Sequence, residues 1–416
     1  MKVCVVGSGA REHALAEAIA KSAESVVVVP GNAGIKFMSE FTQNPKIICS
    51  SANPLEIDAE LFVIGPEQPL WEGLAELLRK KDKFVVGPNK DGARLEASKA
   101  WMKQVLKDAN IPTAPFGVFQ DFEQASSYLK SLSPPYVIKT DGLAQGKGVL
   151  VTNNLDEAIK DAKAKLSGEA FGDAGKTIVI EEGLIGQELS VMALCDSKRI
   201  SFFGSARDYK RLLDNDNGPN TGGMGAFSPV NEYEALIDIS MDKCVEPLVY
   251  GLRKKGVDYR GIIYAGLMIV NKEPYVLEIN VRLGDPEAQV ILPRVDDDLV
   301  SIFYSIASGD FNGEVTFSSD SAVGVVLASE GYPYNVKTGV EIQGWQDAIS
   351  DPSLNLYFAG VSEKGDKLIT SAGRVLTVVG KAKDGLGARN LAYQGIKKIY
   401  FENMHFRRDI YCQANA

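Results

Sequence analysis

The sequence predicts an α/β protein that opens with a parallel sheet covered by helices on both faces. Over the first hundred residues, short runs rich in valine and isoleucine alternate with segments that space their apolar residues as helices do. Each apolar run ends in glycine or in a turn that contains proline, as the strands of such sheets do. A chain of 416 residues corresponds to about two to four domains, so further domains are expected after the first.

The first domain is predicted to alternate strands with helices. The expected strands cover residues 2–7, 25–30, 61–67 and 83–89, with a further short strand at 47–48. The expected helices cover residues 10–22 and about 70–81. In parallel sheets of this kind, ligands bind at the carboxyl ends of the strands, so the turns that follow the strands are the first place to look for a site.

The pattern changes near Lys99. Residues 97–110 predict one amphipathic helix, and the shorter strands and the alanine- and lysine-rich helix that follow, over 155–166, indicate a small α/β lid. From residue 190 to about 317 the segments are longer, and the apolar run 261–270 predicts a buried strand. The last hundred residues contain short strands and end in a helix that begins near residue 387.

Composition excludes several classes of protein. The net charge of −9 and the isoelectric point of about 5.1 argue against a nucleic-acid or membrane-surface protein, and no apolar run is long enough for a membrane span. The N-terminal apolar run is also too short for a signal peptide. Two histidines argue against a zinc site with several histidine ligands, and five scattered cysteines indicate a reducing compartment. The sequence therefore predicts a soluble, cytoplasmic protein.

The first glycine turn, GSGAREH at residues 7–13, lies where a dinucleotide-binding fingerprint would lie. Glu12 replaces its third glycine, and the second strand ends in VPGN without the acidic residue that would contact ribose. NAD binding is therefore not expected. A bound anion at the helix N-terminus and a tight turn without ligand both remain open.

The segment KTDGLAQGKGV at residues 139–149 combines three glycines with lysine. Its backbone amides could approach phosphate oxygens, but Gly148 follows the lysine and a strand comes next, so it is not a P-loop. Lys139 at the end of the preceding strand, and Lys99 on the helix before it, could each reach a phosphate as a point charge. The alternative is an ordinary hairpin with solvated lysines.

Acidic residues mark two further strands. Glu181, Glu182 and Glu188 surround the end of one strand, where the backbone could bond a purine and Glu188 could accept from ribose; a polar strand end is the alternative. In PYVLEINVRLGDPE, Glu278, Asn280 and Arg282 alternate and therefore share one face, opposite the residues 277, 279 and 281 that are expected in the core. A carboxylate, an amide oxygen and a guanidinium on one face predict a clamp for Mg²⁺ and phosphate, the alternative being a surface ion pair.

A polar loop at residues 206–229 gathers charges beside glycine, asparagine and proline, which favours an anion-binding loop. Taken in order along almost the whole chain, these segments resemble the phosphoribosylamine–glycine ligase family of ATP-grasp enzymes. The resemblance rests on GAREHA, PGNAG, GPEQPL, SKAWMK, IKTDGLAQGKGV, FGDAG, NTGGMGA, YAGLM, RLGDPE and RRDI, of which NTGGMGA together with RLGDPE is the most specific.

The resemblance implies three domains and an activity. It implies a biotin-carboxylase-like parallel-sheet domain over 1–102, an ATP-grasp domain over 103–318 with a mobile lid at about 117–187, and a small α+β C-terminal domain over 319–416. It implies that ATP, glycine and 5-phosphoribosylamine are converted through glycyl phosphate to ADP, phosphate and glycinamide ribonucleotide, in de novo purine biosynthesis. No nucleic-acid or membrane partner is expected, and the oligomeric state stays open, a monomer being one option.

The resemblance also implies roles for individual residues. ATP would be bound by Lys99, Lys139, Gly142, Gly146, Lys147, Gly148, Glu181, Leu184 and Glu188. The other substrates would be held by Gly9, Asn32, Gly34, Glu67, Gly223 and Arg282. The catalytic residues would be Arg282, Asp208 and Asp285, and the ligands of Mg²⁺ or Mn²⁺ would be Glu278 and Asn280.

Two departures and three alternatives accompany the resemblance. Tyr209 stands where the family often has histidine, and the strand YAGLMIV lacks the additional metal-binding acid of many ATP-grasp relatives. Another ATP-grasp carboxylate–amine ligase would use a different acid. An NAD-dependent oxidoreductase is weakened by the incomplete fingerprint, and a nucleotide-binding regulator without turnover is weakened by the intact face of Glu278, Asn280 and Arg282.

Overall fold

A computed structural model describes residues 1–143 and 148–412. The first hundred residues alternate strands and helices: β1 (Lys2–Gly7), α1 (Ala10–Ala20), β2 (Ser25–Pro30), α2 (Ala33–Phe41), β3 (Ile47–Cys49), β4 (Leu61–Ile64), α3 (Glu67–Trp71), α4 (Leu74–Arg79), β5 (Phe84–Val86), α5 (Lys90–Ala97) and α6 (Lys99–Asp108). The five strands form one parallel sheet in the order β3-β2-β1-β4-β5. This arrangement confirms the predicted α/β class and the parallel N-terminal sheet.

Both faces of this sheet are buried because successive side chains of each strand point to opposite sides. Val3 and Val5 of β1 pack with Leu15 of α1, whereas Cys4 and Val6 belong to the cluster that contains residues of α3 and α4. The helix expected over 70–81 is wrong in one respect. Gly73 adopts a left-handed conformation with φ +91, which ends α3 and starts α4.

The next segment forms a small layer of its own, made of β6 (Phe116–Phe119), α7 (Phe122–Ser131), β7 (Tyr136–Thr140), β8 (Val149–Thr152), α8 (Leu155–Leu166) and β9 (Ile178–Glu182). The strands form an antiparallel sheet in the order β6-β9-β7-β8. One face is covered by α7 and α8 through a separate core of Ala125, Leu129, Ile138, Ala158, Ala162, Ile178 and Ile180. The predicted site residues Gly146 and Lys147 lie outside the described residues.

The third segment contains β10 (Gln187–Asp196), β11 (Ile200–Asp208), β12 (Arg211–Leu213), β13 (Asn217–Asn220), β14 (Gly225–Ser228), α9 (Glu234–Ser240), α10 (Glu246–Lys254), β15 (Arg260–Val270), β16 (Glu273–Asn280), α11 (Glu287–Ile291) and α12 (Leu299–Ser308). The buried strand predicted at 261–270 is confirmed as most of β15. The polar stretch 206–229 is not a continuous loop, because β12 and β13 pair as a hairpin within it.

The last segment contains β17 (Ser321–Ala328), α13 (Trp345–Ile349), β18 (Leu354–Phe358), β19 (Val361–Lys364), β20 (Lys367–Thr370), β21 (Arg374–Ala382) and α14 (Gly385–Ile396). Three of its strands extend the sheet of the third segment, which has the order β16-β15-β10-β11-β14-β17-β21-β18 and antiparallel pairs throughout. The pairing of β14 with β17 therefore joins the last hundred residues to the central sheet by backbone hydrogen bonds.

Short helical turns complete the chain at Pro54–Glu56, Gly172–Lys176, Asp214–Asp216, Asn231–Tyr233 and Leu292–Arg294, and a π-helical turn lies at Met241–Val245. None of the helices in the described part of the chain is both long and apolar enough to cross a membrane.

Candidate active site

Several of the predicted residues converge where β16 ends, between the first sheet and the small α7–α8 layer. β16 delivers Glu278 and Asn280, and the chain that follows it delivers Arg282. The Lys139 ammonium, at the end of β7, donates to the carbonyl of Leu277 on β16 at 2.9 Å. The Arg282 guanidinium lies 3.3 Å from the Glu67 carboxylate at the start of α3. Three segments that are distant in sequence thus meet at one place.

Glu278 lies among cations. Burial alone would raise the pKa of its carboxyl, but Lys210, Lys139, Lys99 and Arg282 hold that pKa below its ordinary value. No lysine or arginine in the described part of the chain forms a direct ion pair with Glu278, so these cations act through space. The carboxylate is therefore ionised and keeps its oxygens available, which is the state that a metal ligand requires.

A bulge in β16 changes part of the predicted alternation. The register against β15 shifts between the pairs Gly266–Glu278 and Leu267–Val276, so that Leu277 is left without a partner. Leu277 is consequently half-buried rather than in the core, whereas Val276 and Ile279 are fully enclosed. The same bulge leaves the Leu277 carbonyl free to accept from Lys139.

Glu181 of β9 is held between two lysines. Its two oxygens lie 2.7 Å from Lys103 and 2.7 Å from Lys139, and all three side chains are largely buried. Burial raises the pKa of Glu181, but the two ammonium groups outweigh burial, so this pKa falls below its ordinary value. Burial lowers the pKa of Lys103 to about 8. The sequence pointed to Lys139 and Glu181 but gave no signal for Lys103, which is one lysine among several on α6.

The strand exit beyond Glu181 carries the backbone predicted to hold adenine. The Gly183 amide is already used, since it donates to the Pro135 carbonyl at 2.8 Å. Leu184 follows in the connection to β10 and is half-buried. Of this stretch, the backbone at Leu184 is therefore the better candidate for a nucleotide contact, because Glu181 and Gly183 serve the protein itself.

Arg282 is fixed by two carboxylates from the first hundred residues. Its guanidinium lies 2.6 Å from Glu96 of α5 and 3.3 Å from Glu67, and Glu96 also accepts from the Val281 amide at 2.9 Å. Burial lowers the pKa of Arg282, but these two acids outweigh burial, so this pKa lies above its ordinary value. Burial raises the pKa of Glu96 above its ordinary value. Glu96 was not predicted, because nothing in its local sequence distinguishes it from a solvated helix residue.

A second acidic group surrounds Lys210. Its ammonium lies 2.6 Å from the Glu188 carboxylate. Burial lowers the pKa of Lys210, but the charges of Asp208 and Glu188 outweigh burial and raise this pKa well above its ordinary value. Burial, with Glu287, Glu188 and Glu278 nearby, raises the pKa of Asp208 to about 8 despite Lys210. Asp208 is thus a carboxyl that changes protonation near neutral pH, at the predicted glycine site.

Near this group, a buried hydroxyl network joins two strands, β10 and β15, to the helix α11. The Tyr264 hydroxyl lies 2.9 Å from the Ser190 hydroxyl and donates to the Glu287 carboxylate at 2.9 Å. Glu287 is 3% exposed and lies at the start of α11. The sequence placed Glu287 within RLGDPE but assigned it no role.

The loops that carry Gly223 and Asp285 touch each other. Gly223 has φ +110, and a Cβ added there would lie 2.4 Å from Pro286 Cδ, so only glycine fits this turn. Burial raises but Arg374 and Arg11 lower the pKa of Asp285, which falls below its ordinary value. The Asp285 carboxylate also approaches Gly9, where an added Cβ would lie 3.7 Å from Oδ2.

Other predicted residues form hydrogen bonds or packing contacts within the protein. The Lys99 ammonium donates to the Gly142 carbonyl at 3.2 Å, and the Gly148 carbonyl accepts from Thr140 in the hairpin. The Asn32 side chain accepts from Ile35 as the N-cap of α2, and its amide donates to the carbonyls of Ser8 and Phe358. At Gly34, an added Cβ would lie 2.2 Å from the Phe358 ring, so this position is closed by packing.

The side chain of Glu12 occupies the space inside the first glycine turn. The Glu12 carboxylate accepts from the Gly9 amide at 2.6 Å and lies 2.6 Å from Arg11, and a Cβ at Gly7 or Gly65 would collide with it. An acid therefore occupies the space above β1 and β4 where a dinucleotide-binding turn would receive a pyrophosphate. This observation weighs further against the oxidoreductase alternative.

The donor set for a cation is small. Within the described residues there is no group of three or more histidine, cysteine or acidic side chains placed to hold a metal ion. Glu278 and Asn280 together offer a carboxylate and an amide oxygen, and the Asn280 oxygen accepts a long 3.4 Å contact from Arg282. Such a pair suits a hard divalent cation that takes its other ligands from phosphates and water.

Comparison with known proteins covers nearly the whole chain. Family models for phosphoribosylglycinamide synthetase match in three parts: the N domain over residues 1–96, the ATP-grasp (A) domain over 97–288 and the C domain over 322–412. The phosphoribosylamine–glycine ligase of Caldanaerobacter subterraneus subsp. tengcongensis is 38% identical over 417 residues, covering 99% of each chain.

Solved structures agree. The crystal structure of phosphoribosylamine–glycine ligase from Thermotoga maritima superposes with a TM-score of 0.87 at 38% identity, covering 99% of this chain and 100% of the other. The biotin carboxylase domain of 2-oxoglutarate carboxylase from Hydrogenobacter thermophilus has a TM-score of 0.71 at 17% identity, covering 97% of this chain and 91% of that one, and so shares the fold.

Proposed function

The chain belongs to the phosphoribosylamine–glycine ligase (phosphoribosylglycinamide synthetase) family, and we infer that it joins glycine to 5-phosphoribosylamine at the expense of ATP, in purine biosynthesis. The observation that carries this inference is the match of all three family domains in order. The site agrees with it, since cations and one ionised carboxylate meet at the end of β16.

The chemistry requires activation of a poor electrophile. The carboxylate oxygen of glycine attacks the γ-phosphorus of ATP, ADP leaves, and glycyl phosphate forms. The amine of phosphoribosylamine then attacks the acyl carbon, phosphate leaves with its bridging oxygen, and the amide nitrogen loses a proton. Charge develops mainly on the transferring phosphoryl group, so fixed cations contribute more than any protein nucleophile.

We propose that ATP lies between the α7–α8 layer and β16. Lys99 and Lys139 contact its phosphates, and the glycine loop with Gly142, Gly146, Lys147 and Gly148 closes over them. The backbone from Glu181 to Leu184 binds adenine, and Glu188 accepts from ribose. The position of Lys139 supports this, because its ammonium is held at the β16 edge by Leu277 and Glu181.

Glu278 and Asn280 are the proposed ligands of Mg²⁺ or Mn²⁺. ATP-grasp enzymes use divalent metals with their nucleotide, and the ionised Glu278 beside the Asn280 oxygen fits one such ion. When bound, the ion would neutralise charge on the β- and γ-phosphates.

The remaining roles concern the two other substrates. We propose that Arg282 stabilises the transferred phosphoryl group, and that Asp208, Gly223 and Asp285 surround glycine. Phosphoribosylamine would lie toward the first sheet, near Gly9, Asn32, Gly34 and Glu67. The close approach of Asp285 to Gly9 supports this order, because it brings the two substrate regions into contact. The five free cysteines agree with a reducing compartment, and we propose a cytoplasmic location.

Phosphate release from ATP and Mg²⁺ tests the function. Glycine and freshly made phosphoribosylamine are added singly and together, and the product is identified by its mass. Release only with both substrates, together with the mass of glycinamide ribonucleotide, is expected. Release with another carboxylic acid in place of glycine would assign a different ATP-grasp ligase, and no release with any pair would contradict catalysis.

A further inference from the structure

One arginine of the last segment reaches two loops of the proposed substrate region at once. Arg374, the first residue of β21, donates through Nη1 to the carbonyls of Gly222 at 2.6 Å and Asp285 at 2.8 Å. Its Nη2 lies 3.2 Å from the Asp285 carboxylate. A longer contact of 3.5 Å reaches the Gly223 carbonyl. A single guanidinium therefore ties the Gly222–Gly223 turn to the segment that follows Arg282.

A tyrosine from the same segment holds the other end of that turn. The Gly222 amide donates to the Tyr332 hydroxyl at 3.0 Å, so both backbone groups of Gly222 are bonded to residues of the last hundred. Tyr332 can lie there because Gly373 has no side chain, since a Cβ at that position would lie 2.2 Å from the tyrosine ring. Gly373 directly precedes Arg374, so the two contacts come from one compact surface.

The same guanidinium orients Asp285. One oxygen of this carboxylate accepts from Gln289 at 2.7 Å, and the other faces Arg374. Burial raises the pKa of Asp285, but nearby cations, Arg374 foremost, lower it below its ordinary value. The group therefore stays ionised. Both of its oxygens are therefore directed by the protein before any substrate arrives, which is the condition for pre-organised binding.

We propose that Arg374 and Tyr332 are positioning residues that set the affinity for the amino-acid substrate by locking the Gly222–Gly223 turn against Asp285. This inference rests on the proposed function, in which these two elements surround glycine. It assigns to the C-terminal segment a direct part in recognition of that substrate. We expect ATP binding to be independent of the lock, because the contacts that hold Lys99 and Lys139 involve neither Arg374 nor Tyr332.

The geometry requires an arginine. Two carbonyls and one carboxylate oxygen are reached by two nitrogens of one planar group, whereas a lysine ammonium is a single point charge and cannot span the same atoms. Lysine at this position should preserve part of the lock, and methionine, with a similar stem and no charge, should remove it.

The test compares steady-state kinetics of Arg374→Met, Arg374→Lys and Tyr332→Phe in the full-length protein. Lys381→Met is the matched control: Lys381 lies on the same strand and also bridges a carbonyl, of Pro293 at 3.1 Å, and a carboxylate, of Asp320 at 3.6 Å. Apparent KM values for glycine and for ATP are measured separately, and the wild-type enzyme is assayed first with glycine and phosphoribosylamine.

For Arg374→Met, we expect the KM for glycine to rise by at least about tenfold while the KM for ATP stays within about twofold. Arg374→Lys and Tyr332→Phe should fall between this variant and the wild type, and Lys381→Met should match the wild type. An unchanged glycine KM in Arg374→Met or, if that variant does not fold, in both Arg374→Lys and Tyr332→Phe would overturn the inference. Equal losses for glycine and ATP in all variants would overturn it as well. A wild-type enzyme that forms no product from glycine would instead refute the proposed function itself.

Discussion

At the scale of single residues, the central feature is the Glu278 carboxylate. Several cations surround it, and none of those that the structure describes forms an ion pair with it. Lys99, Lys139 and Lys210 come from α6, β7 and the turn after β11, and they all lower the pKa of Glu278. A triphosphate and its cation would insert between these groups, adding phosphate charge next to the lysines and metal charge next to the acid. The arrangement is therefore suited to a ligand that carries both signs of charge.

Glu278→Gln should lower kcat by at least about a hundredfold, because an uncharged amide is a weak ligand for Mg²⁺ beside phosphates. The fold should persist, as judged by an unchanged far-ultraviolet circular dichroism spectrum. Glu273→Gln is the matched control on the same strand, since Glu273 forms only a half-exposed ion pair with Lys243. Near-normal turnover in Glu278→Gln would remove the metal-ligand role.

Asp208 gives a prediction about stability and pH. Its pKa is about 8 in the folded protein against an ordinary value of 3.8, so the folded state holds this proton more tightly than the unfolded state does. The stability that depends on the proton is complete below the unfolded pKa and is lost as the pH rises through the folded pKa. Asp208→Asn, which cannot ionise, should therefore melt about 1–3 °C above the wild type at pH 8.5 and show little difference near pH 4.

Calorimetric melting at the two pH values measures this difference. Asp366→Asn, in the exposed turn between β19 and β20, serves as the control and should shift the melting temperature equally at both. A stabilisation by Asp208→Asn that is the same at pH 4 and pH 8.5 would show that the carboxyl does not titrate as described.

What could be predicted at this scale depended on local pattern. The alternation of Glu278 and Asn280 on a strand was visible in the sequence, and so were the lysines near the glycine loop. Glu96 and Arg374 were not, because each acts on a partner far along the chain; Glu96 is 186 residues from Arg282. Only the fold brings such pairs together, and in sequence each is one charged residue among many.

At the scale of elements, the α7–α8 layer is attached to the site by buried charge. Lys139 of β7 and Lys103 of α6 share Glu181 of β9, so the strand that carries Lys139, the proposed phosphate contact, is anchored to the helix that follows the first sheet. The hairpin of β7 and β8, by contrast, lies in a four-stranded sheet with its own small core. We expect this hairpin to respond to nucleotide.

Amide hydrogen exchange should slow in β7 and β8 when ATP and Mg²⁺ are added, because phosphates would bridge the hairpin to β16. β10 and β15, which are paired along their full length in the central sheet, provide the internal control and should change little. Equal protection of the hairpin with and without nucleotide would contradict a lid that closes on ATP.

The elements could be predicted from the sequence where the apolar periodicity is strong. The predictions are wrong where a single residue interrupts an element. The valine-rich strands of the first sheet and the long strand β15 were recognised because runs of apolar residues are unambiguous there. The sequence pattern predicts one helix over 70–81, but the left-handed backbone of Gly73 separates α3 from α4. The bulge at Leu277 was also invisible, since a register shift depends on the partner strand rather than on local sequence.

At the scale of the whole molecule, the last hundred residues are joined both to the central sheet and to the proposed substrate region. Their strands β17, β21 and β18 continue the central sheet, and Arg374 and Tyr332 hold the turn proposed to face glycine. The first sheet contributes Glu67 and Glu96 to Arg282 from the opposite side. Residues from all three matched family domains thus lie at or contact the proposed site.

In the proposed reaction, this centre activates the carboxylate of glycine by phosphoryl transfer before the amine attacks. The most direct test is the reaction of glycine labelled with ¹⁸O in both carboxylate oxygens, with ATP, Mg²⁺ and phosphoribosylamine, followed by mass analysis of the released phosphate. Formation and aminolysis of glycyl phosphate predict one ¹⁸O atom in each phosphate and one in each molecule of product. Phosphate without ¹⁸O, released in step with product, would contradict the account.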